Sequence, residues 1–430
     1  MRGMVLYMAH GCCFAPGVLP LAAYFLSFSL VIFLWASHEE RLWLPLFPVL
    51  AVLFLSAVDA HMNRWPYLRY LFRSYLVIYV VLGAISLSHN CHSPENQQMG
   101  ITLIMPVHGP LSSSAPALRA VGALSPAPEQ IVVVTDVPSG ADDSTVLPAG
   151  ALTVTVPYAS GPAKARNAGV VAAKGQILLF VDADVVVPSD TVQRVTEEFA
   201  RHPGAAAIFG SYDTAPGAPD FLSQYRNLMH HFVHQSAHEV AGTFWAGLGA
   251  IRTEAFLSVG GFNVSYGVPS IEDIELGCRL RDAGGEIRLV KSLQGRHLKR
   301  WTAVGMLKTD LWQRGVPWMR LILARGAAPS DLNTDQASRW STLLAWSGVA
   351  LFPWGMRSIE LAGIALAALS GVVALNLPFY RFLAQQRGVG FALRSIPWHL
   401  LYYLECGLAG IIGSLLHCRD WSLNRRARYS

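Results

Sequence analysis

Apolar residues follow two patterns along this chain. Near both ends they form long, almost unbroken runs, and between the ends short apolar runs alternate with mixed polar stretches. Residues 16–36 are almost wholly apolar and match the roughly 20 residues that a bilayer crossing needs. Residues 42–58 are a second, uncharged segment, and 74–88 a third, short enough to be either a span or a re-entrant piece. Three more follow at 341–356, 359–380 and 396–416, rich in Gly and Ala as membrane helices often are. The first run starts late and ends without a small-residue cleavage site, so it reads as an anchor rather than a removed signal. The pattern predicts N-terminal membrane segments over 1–98, one folded domain over 99–325 and C-terminal membrane segments over 326–430.

In the middle the period changes. Ile101–Val107, Gln130–Thr135, Ala151–Val156 and Ile177–Val181 have the length and β-branched content of buried strands. Leu111–Leu124 and Ala163–Ala173 lie between them and read as helices, the second opened by Gly161 and Pro162. Strands alternating with helices predict an α/β domain built on a parallel sheet with helices on its faces.

Composition agrees with this division. Of the 430 residues 52% are hydrophobic and 14% charged, and the charge deficit is concentrated at the two ends. Net charge is +5, and the stretches 61–73, 381–394 and 419–428 are all basic and lie beside apolar segments. Basic loops usually face the cytoplasm, and these three cannot all do so if every segment spans. Either 74–88 does not cross or one loop breaks the rule; the domain is read as cytoplasmic, in a multi-pass protein of the cell membrane. Charge placed this way suits anionic lipid headgroups rather than nucleic acid. Cys12, Cys13, Cys91, Cys278, Cys406 and Cys418 have neither metal-ligand nor disulfide-framework spacing.

The run ILLFVDAD, Ile177 to Asp184, carries the candidate chemistry. Residues i and i+2 of a strand share a face, so Asp182 and Asp184 can reach one ligand, at the carboxyl end of a strand where α/β sheets bind ligands. Hard oxygen donors there suit Mg2+ or Mn2+ holding a diphosphate. Glu272 and Asp273 open a helical pattern with Ile274, Cys278 and Leu280 inward and Gly284-Gly285 at its end. Alone, such acids only complement a helix dipole. His230, His231, His234 and His238 share one helical stretch and, without a further ligand of known placement, read as its polar face.

Taken in order, ITLIMPVHG, IVVVTDVPSG, SGPAKARNAGVVAAKG, ILLFVDAD, FWAGLGAIRTEAFLSVGGF, SIEDIELGCRLRDAGG and HLKRW resemble the family 2 glycosyltransferases with a GT-A fold, over about residues 100–320. The flanking membrane segments and HLKRW are similar to the membrane-bound branch that includes ceramide glucosyltransferases and bacterial lipid glycosyltransferases. The resemblance implies that Asp182 and Asp184 bind the metal and the nucleotide diphosphate. It implies that Asp136 contacts the base, although Val137 and Pro138 replace the usual acid and glycine that follow, and a turn aspartate is the alternative. Lys164, Arg166 and Asn167 would touch donor phosphates or order the metal loop. The loop carrying Gly247 and Gly249 would lie under the donor sugar and acceptor. Asp273 would be the catalytic base, with Glu272 holding the acceptor or orienting it, and Glu275 structural. His297 would either complete the metal site or stand first in a Q-x-x-R-W-like box, whose Arg300 and Trp301 would close over the site; an interfacial Arg-Trp pair is the alternative. Trp312, Gln313, Arg314 and Trp318 share that ambiguity.

The expected activity is inverting, metal-dependent transfer of a hexose from a UDP- or GDP-sugar to a membrane-embedded lipid acceptor. Two alternatives stand beside it. A processive polysaccharide synthase would act on a glycan acceptor and needs more long spans. A non-catalytic nucleotide-sugar-binding membrane protein would not need the acids Asp182, Asp184 and Asp273.

Overall fold

Ile101–Val107 (β1) is buried almost throughout, as expected of a strand covered on both faces. The computed structural model describes residues 99–137, 145–326, 335–355 and 357–429, and sets β1 within an eight-stranded sheet. A 3-10 turn at Leu111–Ser114 leads to α1 (Ala115–Gly122), β2 (Gln130–Thr135), β3 (Leu152–Thr155), α2 (Pro162–Val171) and β4 (Ile177–Val181). There follow β5 (Val185–Val186), α3 (Thr191–Arg201), β6 (Ala205–Tyr212), α4 (Phe221–Ser236) and β7 (Leu248–Arg252). Next come α5 (Thr253–Ser258), α6 (Glu272–Asp282) and β8 (Glu286–His297). The four strands expected from the sequence are present, and the helix expected over 111–124 starts its α-helical part where Pro116 suits a first turn.

The sheet is mixed, which corrects the all-parallel expectation. Its order is β3-β2-β1-β4-β7-β6-β8-β5, and β7 runs antiparallel to both β4 and β6. Strand direction is not carried by the hydrophobic pattern, because a strand buried on both faces reads alike either way. The reversal has a local consequence. Val181 pairs with Leu248, and the Asp182 amide donates to the Gly247 carbonyl at 3.0 Å, so the loop entering β7 lies against the acids leaving β4.

Alternate residues of β1 feed two cores. Leu103, Met105 and Val107 pack with Leu118 of α1 and with Val195 and Phe199 of α3. Ile104 faces the other way, with Phe180, Ala163 and Ala165 of α2, and Leu276 and Leu280 of α6. Gly161 begins α2 at φ 81°, and a Cβ there would stand 2.6 Å from the Gly267 carbonyl oxygen, so only glycine suits that junction.

After β8 the chain is helical: α7 (Ala303–Lys308), a π-helical segment Thr309–Gly315, α8 (Val316–Arg325), α9 (Gln336–Gly355), α10 (Ile359–Leu375), α11 (Leu377–Arg387) and α12 (Val389–Tyr429). Among the described residues one helix, Val389–Trp421, is long and apolar enough to cross a membrane, and the pair α10 and α11, bent by 61°, makes two if counted as one span. The three separate C-terminal segments are therefore revised. Residues 396–416 lie inside the single long helix. Residues 359–380 break at Asn376, whose side-chain amide donates to the Val372 carbonyl at 2.8 Å and to Ser341 Oγ at 2.9 Å, and Pro378 supplies no amide to continue the ladder. Residues 341–355 lie in a helix whose apolar character is diluted by Arg339, Ser341, Thr342 and Ser347, and residue 356 lies outside the described residues. The segments expected at 16–36, 42–58 and 74–88 lie outside the described residues.

Gly277 joins α6 to the loop before β7, because a Cβ there would meet the Phe244 amide nitrogen at 2.2 Å. Alanine is normally worth up to about 1 kcal/mol in a helix interior over glycine. Gly277→Ala is expected to reverse that sign and cost about 1–3 kcal/mol, read as a lower thermal midpoint in detergent; an unchanged or higher midpoint would mean that the two elements are not in contact.

Candidate active site

Four acids, Asp182, Asp184, Glu272 and Asp273, converge at the carboxyl edge of β4, and one arginine pairs with two of them. Arg166 reaches up from α2, its side chain 5% exposed, and donates from Nη2 to Asp182 Oδ1 at 2.7 Å and from Nη1 to Glu272 Oε1 at 2.9 Å. Burial works against the guanidinium's charge, but Asp182 and Glu272 more than offset it and its pKa rises. Glu272 is further pinned by the Ser270 amide at 2.9 Å. Its neighbour Asp273 accepts from the Ala246 amide at 3.1 Å and faces the cavity. Burial, with Glu272 adding to it, pushes the Asp273 carboxyl up to about 6.

The two acids of the D-x-D run are driven apart. Burial raises Asp182, and Arg166 only partly opposes it. Burial also acts on Asp184, but His297 and Lys299 outweigh it and hold that carboxyl below its ordinary value. His297 Nε2 stands 3.4 Å from Asp184 Oδ2, brought there by the antiparallel pairing of Val185 with His297. Among the described residues no three acids, histidines or cysteines form a ready-made cage for a metal. Asp184 and His297 nonetheless suit a divalent ion that takes its remaining ligands from a diphosphate, with Asp182 shared with Arg166.

An aromatic wall backs His297. Tyr212 stacks on it with centroids 4.1 Å apart and 8° between planes, and His230 and Trp245 lie 4.4 and 4.9 Å from the Tyr212 ring. The histidines of α4 are thus not a polar outer face. His231 and His234 are buried, donating from Nδ1 to the carbonyls of Tyr212 at 2.7 Å and Gly210 at 3.0 Å; His238 alone of the four is exposed. Burial lowers His234 to about 4, which keeps its ring neutral at pH 7.

A cavity of about 840 Å³ joins these groups. Asp136 and His108 line one end. Asp136 is almost buried and accepts from the amides of Gly109 at 3.0 Å and Ala159 at 2.9 Å and from His108 Nδ1 at 2.6 Å. Those bonds outweigh burial and lower its pKa. The other end reaches α12, where Tyr402, Cys406, Ala409 and Gly410 form one stripe at helical spacing.

Of the residues expected at the site, Asp136, Arg166, Asp182, Asp184, Glu272, Asp273, His297 and Trp301 line this cavity, and Lys164, Asn167, Gly247 and Arg300 do not. Lys164 is on the solvent side of α2. Asn167 is committed to the chain, donating to the Phe262 carbonyl at 2.8 Å and accepting from its amide at 3.0 Å. Gly247 is buried behind Trp245, whose ring would meet a Cβ at 2.3 Å. Arg300 is 79% exposed and lies 3.4 Å from Asp220. Trp301 is 8% exposed, packed with Tyr225, Leu228 and Met306, which leaves no open face for a sugar. Lys299 takes the inward place that Arg300 was expected to hold, its Nζ 4.2 Å from the Trp301 ring centroid. His108, Tyr212, Trp245 and Lys299 escaped the sequence reading; His108 and Tyr212 each end an apolar strand, as Asp182 does, and that shared position was the available signal.

Residues 102–257 match the family model described as Glycosyl transferase family 2. Among solved structures, the mannosyltransferase PcManGT from Pyrobaculum calidifontis, in complex with GDP-Man and Mn2+, is 18% identical with a TM-score of 0.45, covering 72% of this chain and 86% of that one. TarS 1-349 from S. aureus, in complex with UDP-GlcNAc, is 16% identical with a TM-score of 0.40, covering 72% and 91%. No curated protein matches the chain.

The two arginines should separate cleanly in stability. Arg166→Met leaves the Glu272 carboxylate buried without its cation and is expected to cost about 3–5 kcal/mol. Arg300→Ala removes only an exposed pair and should stay within about 0.5 kcal/mol. Denaturant unfolding in detergent measures both; equal losses would contradict the bridging role of Arg166.

Proposed function

We propose that this chain, whose central domain is a family 2 glycosyltransferase domain, transfers a hexose from a UDP- or GDP-sugar to a hydroxyl of a membrane-embedded lipid, with inversion at the anomeric carbon. The observation that carries this reading is the single cavity running from Asp136, past Asp182, Asp184 and Asp273, to the stripe of α12, the one helix among the described residues that by itself is long and apolar enough to cross a membrane. A soluble donor enters at one end and a lipid reaches the same acids from the other.

Each residue then has a task. Asp184 and His297, with Asp182, would hold Mn2+ or Mg2+, which when bound neutralises charge on the nucleoside diphosphate. Arg166 fixes Asp182 and Glu272 in place and so acts as a positioning residue. Asp273 takes the proton from the acceptor hydroxyl as that oxygen bonds to the anomeric carbon, and the sugar–phosphate bond breaks with its electron pair leaving on the nucleoside diphosphate. A carboxyl raised to about 6 is a far better base than an ordinary aspartate and is still ionised at pH 7. His230 and His234, held neutral by burial, add no competing charge beside it.

The test is nucleoside diphosphate release by the full chain in detergent with Mn2+, a panel of UDP- and GDP-sugars, and extracted membrane lipid. Release should depend on lipid. Because the base must be ionised, kcat/KM should rise with pH through about 6 and level off above it. Asp273→Asn should lower kcat about 10²–10⁴-fold and abolish that limb; a variant that keeps both rate and limb would remove Asp273 from the reaction.

A further inference from the structure

Arg226 of α4 and Asp310 of the π-helical segment form a buried ion pair on the cavity wall, with side chains 12% and 5% exposed. Arg226 Nη2 donates to Asp310 Oδ1, and among the described residues neither side chain makes another hydrogen bond. Trp301 packs against the guanidinium, its ring centroid 5.7 Å away. The other guanidinium nitrogens and Asp310 Oδ2 are not sealed inside the protein, so their unused bonding capacity faces the cavity. A buried charge short of hydrogen bonds is costly, and a ligand that supplies them relieves that cost.

The place of the pair says which ligand it serves. Asp310 lies three residues before Gln313, whose carbonyl accepts from Ser270 Oγ at 2.6 Å, and Ser270 lies three residues before Asp273. On the other side the Asp310 carbonyl oxygen is 2.7 Å from the Cβ position of Gly315, itself 2.6 Å from the Ala409 side chain on the α12 stripe. The pair is therefore held between the proposed base and the membrane-length helix, whereas Asp136 follows β2 at the donor end. Lys299 also lies over the Trp301 ring, but the amide of Leu298 beside it donates to the Asp184 carbonyl at 2.8 Å, which puts this lysine with the metal site. An ion pair with bonds to spare presents N–H donors next to a carboxylate acceptor, and a hydroxyl, which donates and accepts at once, satisfies both. A phosphate at Arg226 would meet Asp310, and an ammonium at Asp310 would meet Arg226, so the pair selects against charged headgroups.

We propose that Arg226 and Asp310 hold a hydroxyl of an uncharged, polyhydroxylated lipid headgroup, a hydroxyl other than the one that reacts at Asp273. This rests on the lipid-glycosyltransferase reading and narrows its acceptor. The pair determines specificity through hydrogen bonds alone, and the proton of the reacting hydroxyl still goes to Asp273.

The test uses the full chain in a polyoxyethylene detergent with Mn2+ and the donor sugar, offering hexadecylglycerol and hexadecyl glucoside against hexadecanol and phosphatidylglycerol. The better of the two neutral polyols should exceed hexadecanol at least about a hundredfold in kcat/KM, because a site built around a hydroxyl rejects the analogue that lacks it. Phosphatidylglycerol, which keeps a diol and adds a negative charge, should be used at least about tenfold less well than that polyol. Asp310→Asn keeps the shape and a bond from Arg226. It should raise the KM for the polyol about ten- to hundredfold and leave the slow use of hexadecanol, and the nucleoside diphosphate affinity measured by calorimetry, unchanged. Arg226→Gln alone strands a buried carboxylate, so the arginine is tested as Arg226→Gln together with Asp310→Asn, which should give the same pattern. A merely structural pair would lower the use of polyol and hexadecanol together; that result, or loss of nucleotide affinity, would overturn the proposal. Equal use of hexadecanol or of phosphatidylglycerol would overturn it while leaving the lipid-glycosyltransferase reading intact. Failure of every lipid, with nucleotide still bound, would overturn the lipid-acceptor reading and the proposal with it.

Discussion

A single buried guanidinium organises the acidic edge of this protein's sheet. Arg166 comes from α2, Asp182 from the end of β4 and Glu272 from the start of α6, so one side chain ties together three elements that are far apart in sequence. Burying a charge is costly unless it is paired and hydrogen-bonded, so the arginine and its two carboxylates are mutually obligatory. Asp273 follows Glu272 in the chain and inherits its position from this lock. Its raised pKa is a by-product of the same constraint, because it is buried beside a carboxylate whose cation is already engaged.

The reversed strand β7 does the complementary work. Running antiparallel beside β4, it brings the Phe244–Gly247 loop to the acids at the carboxyl edge, where the Ala246 amide meets Asp273 and the Gly247 carbonyl meets the Asp182 amide. Close packing leaves no room for side chains at Gly247 and Gly277, so these glycines set the distance between loop, strand and helix rather than leaving space for a ligand. On the far side, the long strand β8 delivers His297 to Asp184 and then turns Lys299 inward.

The helices after β8 give the site its second end. The π-helical segment and α8 lie against α12, where a Cβ at Gly315 would stand 2.6 Å from the Ala409 side chain and one at Gly413 2.7 Å from the Met319 side chain. One cavity thus runs past the acids to the helix that is long and apolar enough to cross a membrane.

Features that depend on residue type and local period were legible in the chain alone. The four apolar strands, the paired acids at the end of ILLFVDAD and the acid pair opening α6 could be read because burial and strand geometry act over a few residues. Features that depend on direction and distance were not. The sequence pattern could not say that β7 runs backwards, that α4 turns its histidines inward, that Arg300 faces solvent while Lys299 faces the cavity, or that Asn167 and Gly247 serve the chain rather than a ligand. It also counted three apolar segments after the domain where the fold makes one membrane-length helix and one bent pair. Local sequence determined which groups were available for chemistry; only the tertiary structure decided which of them meet, because burial, pairing and pKa are set by neighbours that lie far along the chain.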